Sequence, residues 1–194
     1  MKVIRAISIF AILAFCGLLC SCGESSDVRY SSEHIGIYDT VTRQYIDIGD
    51  SKDKVNKILG YGTEVKGYYN NYQTKEYIEF DTPHYEYGNV LTIIYDNNII
   101  SNIDIHYYLG KIEDGYDNRF ELSDGTNRFT VKEDILNKYP SAYIDEFEDF
   151  HIFLYKKNNE VFISDNKHNA GYEIKIIYDL QDELAGYEIA EITE

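Results

Sequence analysis

The sequence predicts an α+β fold of two tandem repeats, each a short helix packed on a small antiparallel β-sheet. Two landmarks recur at nearly one spacing. Capped amphipathic segments begin at Asp50 and Thr130, 80 residues apart, and Ile93-Ile94-Tyr95-Asp96 returns as Ile176-Ile177-Tyr178-Asp179, 83 residues on. A third observation is that short apolar or alternating runs bounded by turn residues follow each helix, which is the pattern of strands. The repeats are expected over residues 34–110 and 117–194, with a charged junction at 111–116 that contains Gly115.

First along the chain comes a leader. Lys2 and Arg5 precede an apolar run at 6–19, and no acidic residue occurs before Glu24, which is the profile of a secretory signal. A membrane-spanning helix needs about 20 apolar residues, and this run is shorter. It closes with Leu19-Cys20-Ser21-Cys22, which resembles the lipobox of bacterial lipoproteins, with a small residue directly before the acceptor. Cys16 and Cys20 follow Phe15 and Leu19, too bulky for the site that signal peptidases read. The resemblance implies a signal peptide at 1–21, cleavage before Cys22, and lipidation of Cys22. The domain is then tied to a cell membrane or outer membrane on its extracytoplasmic side, because two or three acyl chains hold durably where one does not.

Removing 21 residues from 194 leaves 173 and shifts the formal charge from -16 to -18, because Lys2 and Arg5 leave with the leader. Cys16 and Cys20 leave too, so no disulfide framework remains and stability falls to a packed core. Residues 22–33 are polar and Ser-rich beyond the acceptor, which reads as a flexible tether.

In the first repeat a strand-turn-strand signal at 35–48 leads to the first helix. Asp50 is the expected N-cap, Val55, Ile58 and Leu59 form one apolar face, and Gly60 ends the element. Strands are expected at 77–81, 90–95 and 99–107, the last two joined by a tight turn at Asp96-Asn97-Asn98. In the second repeat a strand-turn-strand signal at 120–129 leads to a helix in which Thr130 and Glu133 have capping-box spacing. Val131, Ile135 and Tyr139 recur at four-residue steps, and Pro140 stops it. Strands follow at 143–147, 150–155, 161–164, 172–178 and 187–192.

The segment Ile46-Asp47-Ile48-Gly49-Asp50-Ser51-Lys52, continued by Val55, Ile58, Leu59 and Gly60, resembles the repeat of β-lactamase-inhibitor-like and SmpA/OmlA-like lipoproteins. That resemblance implies a short helical element on one face of a small antiparallel sheet, used twice in tandem. The second repeat lacks the Gly-Asp-Ser start, and the mature chain lacks the inhibitors' cysteines, so the resemblance extends to fold and not to a particular partner.

With 34 acidic against 18 basic residues, the chain repels phosphate backbones, which excludes nucleic acid as a partner. Twenty tyrosines and no tryptophan suit a sheet that presents amphipathic rings. Tyr95, Tyr107, Tyr155 and Tyr178 are the expected binding residues, with some of the set expected in the core. His34, His84, His106, His151 and His168 show no metal-ligand spacing and are expected on exposed strand or loop positions. No phosphate loop and no nucleophile elbow occurs, so no cofactor and no enzyme activity are expected. The sequence therefore reads as a membrane-anchored lipoprotein with a non-enzymatic protein-binding or envelope-associated module. The alternative is a tethered hydrolase or glycan-binding domain using acidic residues, whose carboxylate pair only the fold can reveal.

Overall fold

A computed structural model describes residues 28–71, 76–88, 90–107 and 118–192. The leader, Cys22 and the junction at 111–116 lie outside the described residues. The described residues form thirteen strands: β1 (Val28–Arg29), β2 (Gly36–Asp39), β3 (Gln44–Asp47), β4 (Thr63–Asn71), β5 (Glu76–Tyr87), β6 (Leu91–Asp96), β7 (Ile99–His106), β8 (Phe120–Leu122), β9 (Tyr143–Ile144), β10 (Phe150–Lys157), β11 (Glu160–Ser164), β12 (Tyr172–Tyr178) and β13 (Leu184–Glu191). Two α-helices, α1 (Lys52–Leu59) and α2 (Lys132–Lys138), complete the main elements among the described residues.

The α+β expectation of two helix-on-sheet units is overturned. The chain is mostly β, and both halves merge into one antiparallel ten-stranded sheet in the order β1-β11-β10-β12-β13-β7-β6-β5-β4, with β9 beside β10. The physical reason lies at the strand edges. A small isolated sheet leaves rows of unpaired N–H and C=O groups, which is costly to bury and hazardous to expose. Here β7 and β13 pair with each other from Asn102↔Ala190 to His106↔Gly186, so the two inner edges vanish. The seam is close: a Cβ on Gly186 would lie 2.1 Å from the Ile105 carbonyl oxygen. The segments ahead of the helices leave their own units as well. β2 pairs with β3 and with β8 of the other half, making a three-stranded sheet in which Asp39, fully buried, takes two 2.9 Å hydrogen bonds from Arg119.

Some features recur at the expected spacing inside this merged architecture. β6-β7 and β12-β13 are equivalent hairpins flanking the seam, and Val55 of α1 and Ile135 of α2, 80 residues apart, are both fully buried. Lys52 Nζ lies 5.7 Å from the Tyr95 ring centre, and Lys132 Nζ lies 5.7 Å from that of Tyr178. In the outer strands the repeat is scrambled: the first half runs outward-to-inward as β4 then β5, whereas the second places β10 inside and β11 outside. The short crossover at 165–171, with a 3-10 turn at Lys167–Asn169, then carries the chain past β10 to β12.

Local chemistry explains the elements. Ser51, not Asp50, caps α1 by accepting from the Lys54 N–H, and Gly60 closes it at φ 82°. Asp50 instead accepts from the Asp47 N–H and from Lys54 Nζ. The expected capping box of α2 does not form: Val131 occupies the cap position with no side-chain bond, and Thr130 Oγ1 accepts from the Asn127 N–H. Of the four-step series in α2, Ile135 and Tyr139 are buried while Val131 is 54% exposed. Asn97 and Asn98, at φ 50° and 64°, make the tight turn that two left-handed residues favour, and Asn158 and Asn159 at 54° and 64° repeat it between β10 and β11.

One apolar core holds the fold together. Leu91, Ile93, Ile103, Ile105, Ile174, Ile176, Tyr187 and Ile189 point from the large sheet into it, where they meet α1, α2 and the small sheet. Each such side chain contributes about 1.5–3 kcal/mol by leaving water. Val28–Arg29 pairs with β11, and Tyr30 is 2% exposed and stacks on Tyr139, so residues that composition assigns to a tether are held against the second half.

Candidate functional site

Residues that alternate with the core positions project from the opposite face of the large sheet. Because each strand is antiparallel and in register with the next, they line up in cross-strand rows. One row runs unbroken across eight strands: Tyr143, His151, Lys175, Glu188, Asp104, Thr92, Glu86 and Thr63. All but its first residue are polar, and the six inner ones are half-buried.

At the centre of this row sits the β7-β13 seam. Asp104 and Glu188 stand directly opposite each other across it. Burial, then the neighbouring Glu188, pushes the Asp104 carboxyl up to about 8. Burial also raises Glu188, against the pull of Lys175 and with the repulsion of Asp149. Two like charges in one half-dry place disfavour double ionisation, so the pair holds a proton near neutral pH.

On one flank the charges are paired. Burial works against the Lys175 ammonium, yet its 2.8 Å contact with the buried Asp149 keeps it above its ordinary value. His151 is held between Glu173 at 2.6 Å and Asp145 at 3.1 Å. The bond with Glu173, opposed by burial and joined by Asp145, raises the imidazole, and the same His151 contact lowers Glu173. Lys167 reaches Glu173 from the crossover at 3.1 Å. Along β10 the open face is aromatic: His151 lies 5.5 Å from Tyr143 and 6.4 Å from Phe153, and Tyr155 stacks on Phe162 at 5.5 Å.

The four tyrosines singled out by sequence divide. Tyr95 and Tyr178 are 6% and 8% exposed, on the core face, under the helix lysines. Tyr107 is half-buried and donates to the Phe120 carbonyl at 3.0 Å, beside the small sheet. Tyr155 alone of the set belongs to the open face. Histidine positions depart from the exposed expectation: His151 is half-buried in the site, and His106 is 7% exposed, its imidazole pushed down to about 4 by burial. His34 stacks on Tyr45 at 3.8 Å with Nδ1 2.7 Å from Asp47 Oδ2, beside a cavity of about 530 Å³ that Arg29, Ser32 and Ser123 help to line. His168 is exposed. No group of three or more metal-ligating side chains converges among the described residues.

Sequence reasoning missed Asp104, Glu188, His151 and Lys175 as a set, since each looks like an ordinary polar strand residue. Their alignment follows from the β7-β13 pairing, which joins residues 84 positions apart. No protein-family model, curated protein or solved structure matches the chain. The lipoprotein-repeat resemblance thus rests on residues 46–60 and their neighbouring hairpin.

Proposed function

We propose that the chain is an extracytoplasmic lipoprotein, anchored through Cys22, whose domain is a non-enzymatic protein-binding module. The observation that carries this reading is the open face of the large sheet, where an aromatic strip along β10 continues into a charged row. Aromatic side chains beside paired charges suit a protein surface, and the excess of carboxylates selects one that brings lysine or arginine. Five residues, six peptide steps, separate Cys22 from Val28, so an extended connection reaches at most about 20 Å and keeps the domain close to the bilayer. No described helix is long and apolar enough to cross a membrane.

The test is photo-crosslinking in intact cells from open-face positions 92 and 155, with position 56 on the α1 surface as control. Specific adducts from 92 and 155 but not 56 are expected; equal labelling at all three positions, or none above background, refutes the reading. Mass spectrometry of the natural protein should find the leader gone and Cys22 acylated. A second reading, glycan hydrolysis, draws on the Asp104–Glu188 pair, because two carboxyls that share a proton can divide acid and base roles. Release of soluble sugar from cell-wall glycan by the wild type, abolished in Glu188→Gln, would favour it over the binding module.

A further inference from the structure

The second half carries exposed apolar side chains on α2 and on the turns beside it. Phe129 is 71% exposed, Val131 54%, Leu136 45%, Phe147 53% and Leu180 98%. Ion pairs draw their segments together. Lys132 Nζ contacts Glu148 at 2.7 Å and Asp182 at 2.6 Å, which draws the start of α2, the turn holding Phe147 and the turn holding Leu180 around one ion-paired lysine. Leu136 follows Lys132 by four residues on the same helical stripe.

The first half supplies an internal control. At the equivalent places it has Ser51 for Val131, Asn56 for Leu136 and Asn97 for Leu180. Its polar versions build a helix and a hairpin at the matching places, the hairpin with a shorter turn, so a helix and a hairpin there do not require the apolar ones. Val131 even forfeits the side-chain cap that Ser51 provides. Exposed apolar groups that the fold does not need, at the expense of a cap, mark an interaction surface.

Charge decides the occupant. Glu133, Asp134, Glu148, Asp182 and Glu183 are exposed on the same segments, and with Lys132 the only cation paired among them in the described residues the stretch stays acidic. A second copy of this chain, with formal charge -16, or an anionic bilayer would be repelled there. We infer that this patch docks a protein partner that presents apolar side chains ringed by lysine or arginine. The surface centres on α2 and the β12-β13 turn rather than on the open sheet face, and stands whether or not that face binds.

The test uses the mature protein purified in detergent and a helical peptide built from leucine and lysine that carries one benzophenone. Binding is read by fluorescence anisotropy and location by mass spectrometry of the crosslink. Expected are adducts at 129–136, 147–148 or 180–183, and affinity at least tenfold weaker for Val131→Ser/Leu136→Asn/Leu180→Asn, whose residues are borrowed from the first half. Tyr61→Ala, at an exposed aromatic of the first half outside both surfaces, should leave this affinity unchanged. Equal binding of a leucine and glutamate peptide, adducts elsewhere, or an unweakened triple variant overturns the inference. So does labelling of Leu180 by a photoreactive lipid in phosphatidylcholine vesicles, or self-association that the triple variant abolishes.

Discussion

Replacing Asp104 by asparagine should stabilise the protein at neutral pH, an unusual outcome for a change at the centre of a sheet. The folded carboxyl titrates near 8 against an ordinary 3.8. Its neutral form is therefore preferred by the fold, so this group imposes no penalty below pH 3.8. The penalty grows as pH rises from about 4 and levels off once pH passes the folded value near 8. At pH 7.5 the full linkage amounts to about 5 kcal/mol, and solvent penetration at a half-buried site reduces it to about 2 kcal/mol. Asparagine keeps the volume and removes the charge. For a chain of this size a gain of 2 kcal/mol raises the midpoint of thermal unfolding by about 4–8 °C. Thermal and urea unfolding of wild type and Asp104→Asn at pH 4, 6 and 7.5 should give curves that coincide at pH 4 and separate progressively above it. A variant equal to or weaker than wild type at pH 7.5, or a gap that does not widen with pH, would refute the buried-pair argument.

Three further outcomes are expected. Arg119→Ala strips the cation from the buried Asp39, whose carboxyl burial tends to raise but Arg119, Thr42 and Val41 hold below its usual value. Urea unfolding at pH 7 should show a loss of about 3–5 kcal/mol, a loss that narrows as pH falls through the depressed folded value of Asp39. In Glu173→Gln, NMR titration of the His151 ring should place its midpoint lower than in wild type. The raised imidazole contributes stability that is complete below its unfolded value near 6.5 and lost as pH rises through the folded one, so an unmoved midpoint would dismiss Glu173 as its holder. Gly186→Ala forces a methyl into the Ile105 carbonyl, and hydrogen exchange should report faster opening of β7 and β13 than of the β2-β3 hairpin.

Much of the local structure is legible in the sequence because its causes are local. The 3.6-residue spacing of Val55, Ile58 and Leu59 predicts α1, and Asn97-Asn98 predicts the β6-β7 turn; both depend on neighbours a few residues away. The merged sheet is not legible, since β7 reads as a plausible outer strand of the first unit and nothing within it names β13 as its partner. The same holds for β8, whose three residues pair with β2 more than 80 positions earlier. The Thr130 cap misleads for a different reason: the hydroxyl serves the Asn127 N–H in the preceding turn, and two nearby donors compete for one oxygen. The candidate site inherits the first difficulty. Tyrosine count draws attention to Tyr95 and Tyr178, but their place in the repeat, opposite a helix lysine in each half, commits them to the interior.

The attachment of β1 to β11 determines how the molecule would respond to a tug along its N-terminal end. Among the described residues two pairs, Val28↔Ile163 and Arg29↔Phe162, resist at this outer strand, with the Tyr30 N–H bond to the Val161 carbonyl and the exposed Arg29–Glu160 contact beside them. Tension arriving there peels this stub away first, one pair after another, and then meets the Tyr30 ring wedged beside Tyr139. That ring acts as a stop knot. Under such tension the stub would yield ahead of it while the body stayed shut, and on release the stub could zip back without refolding anything behind it.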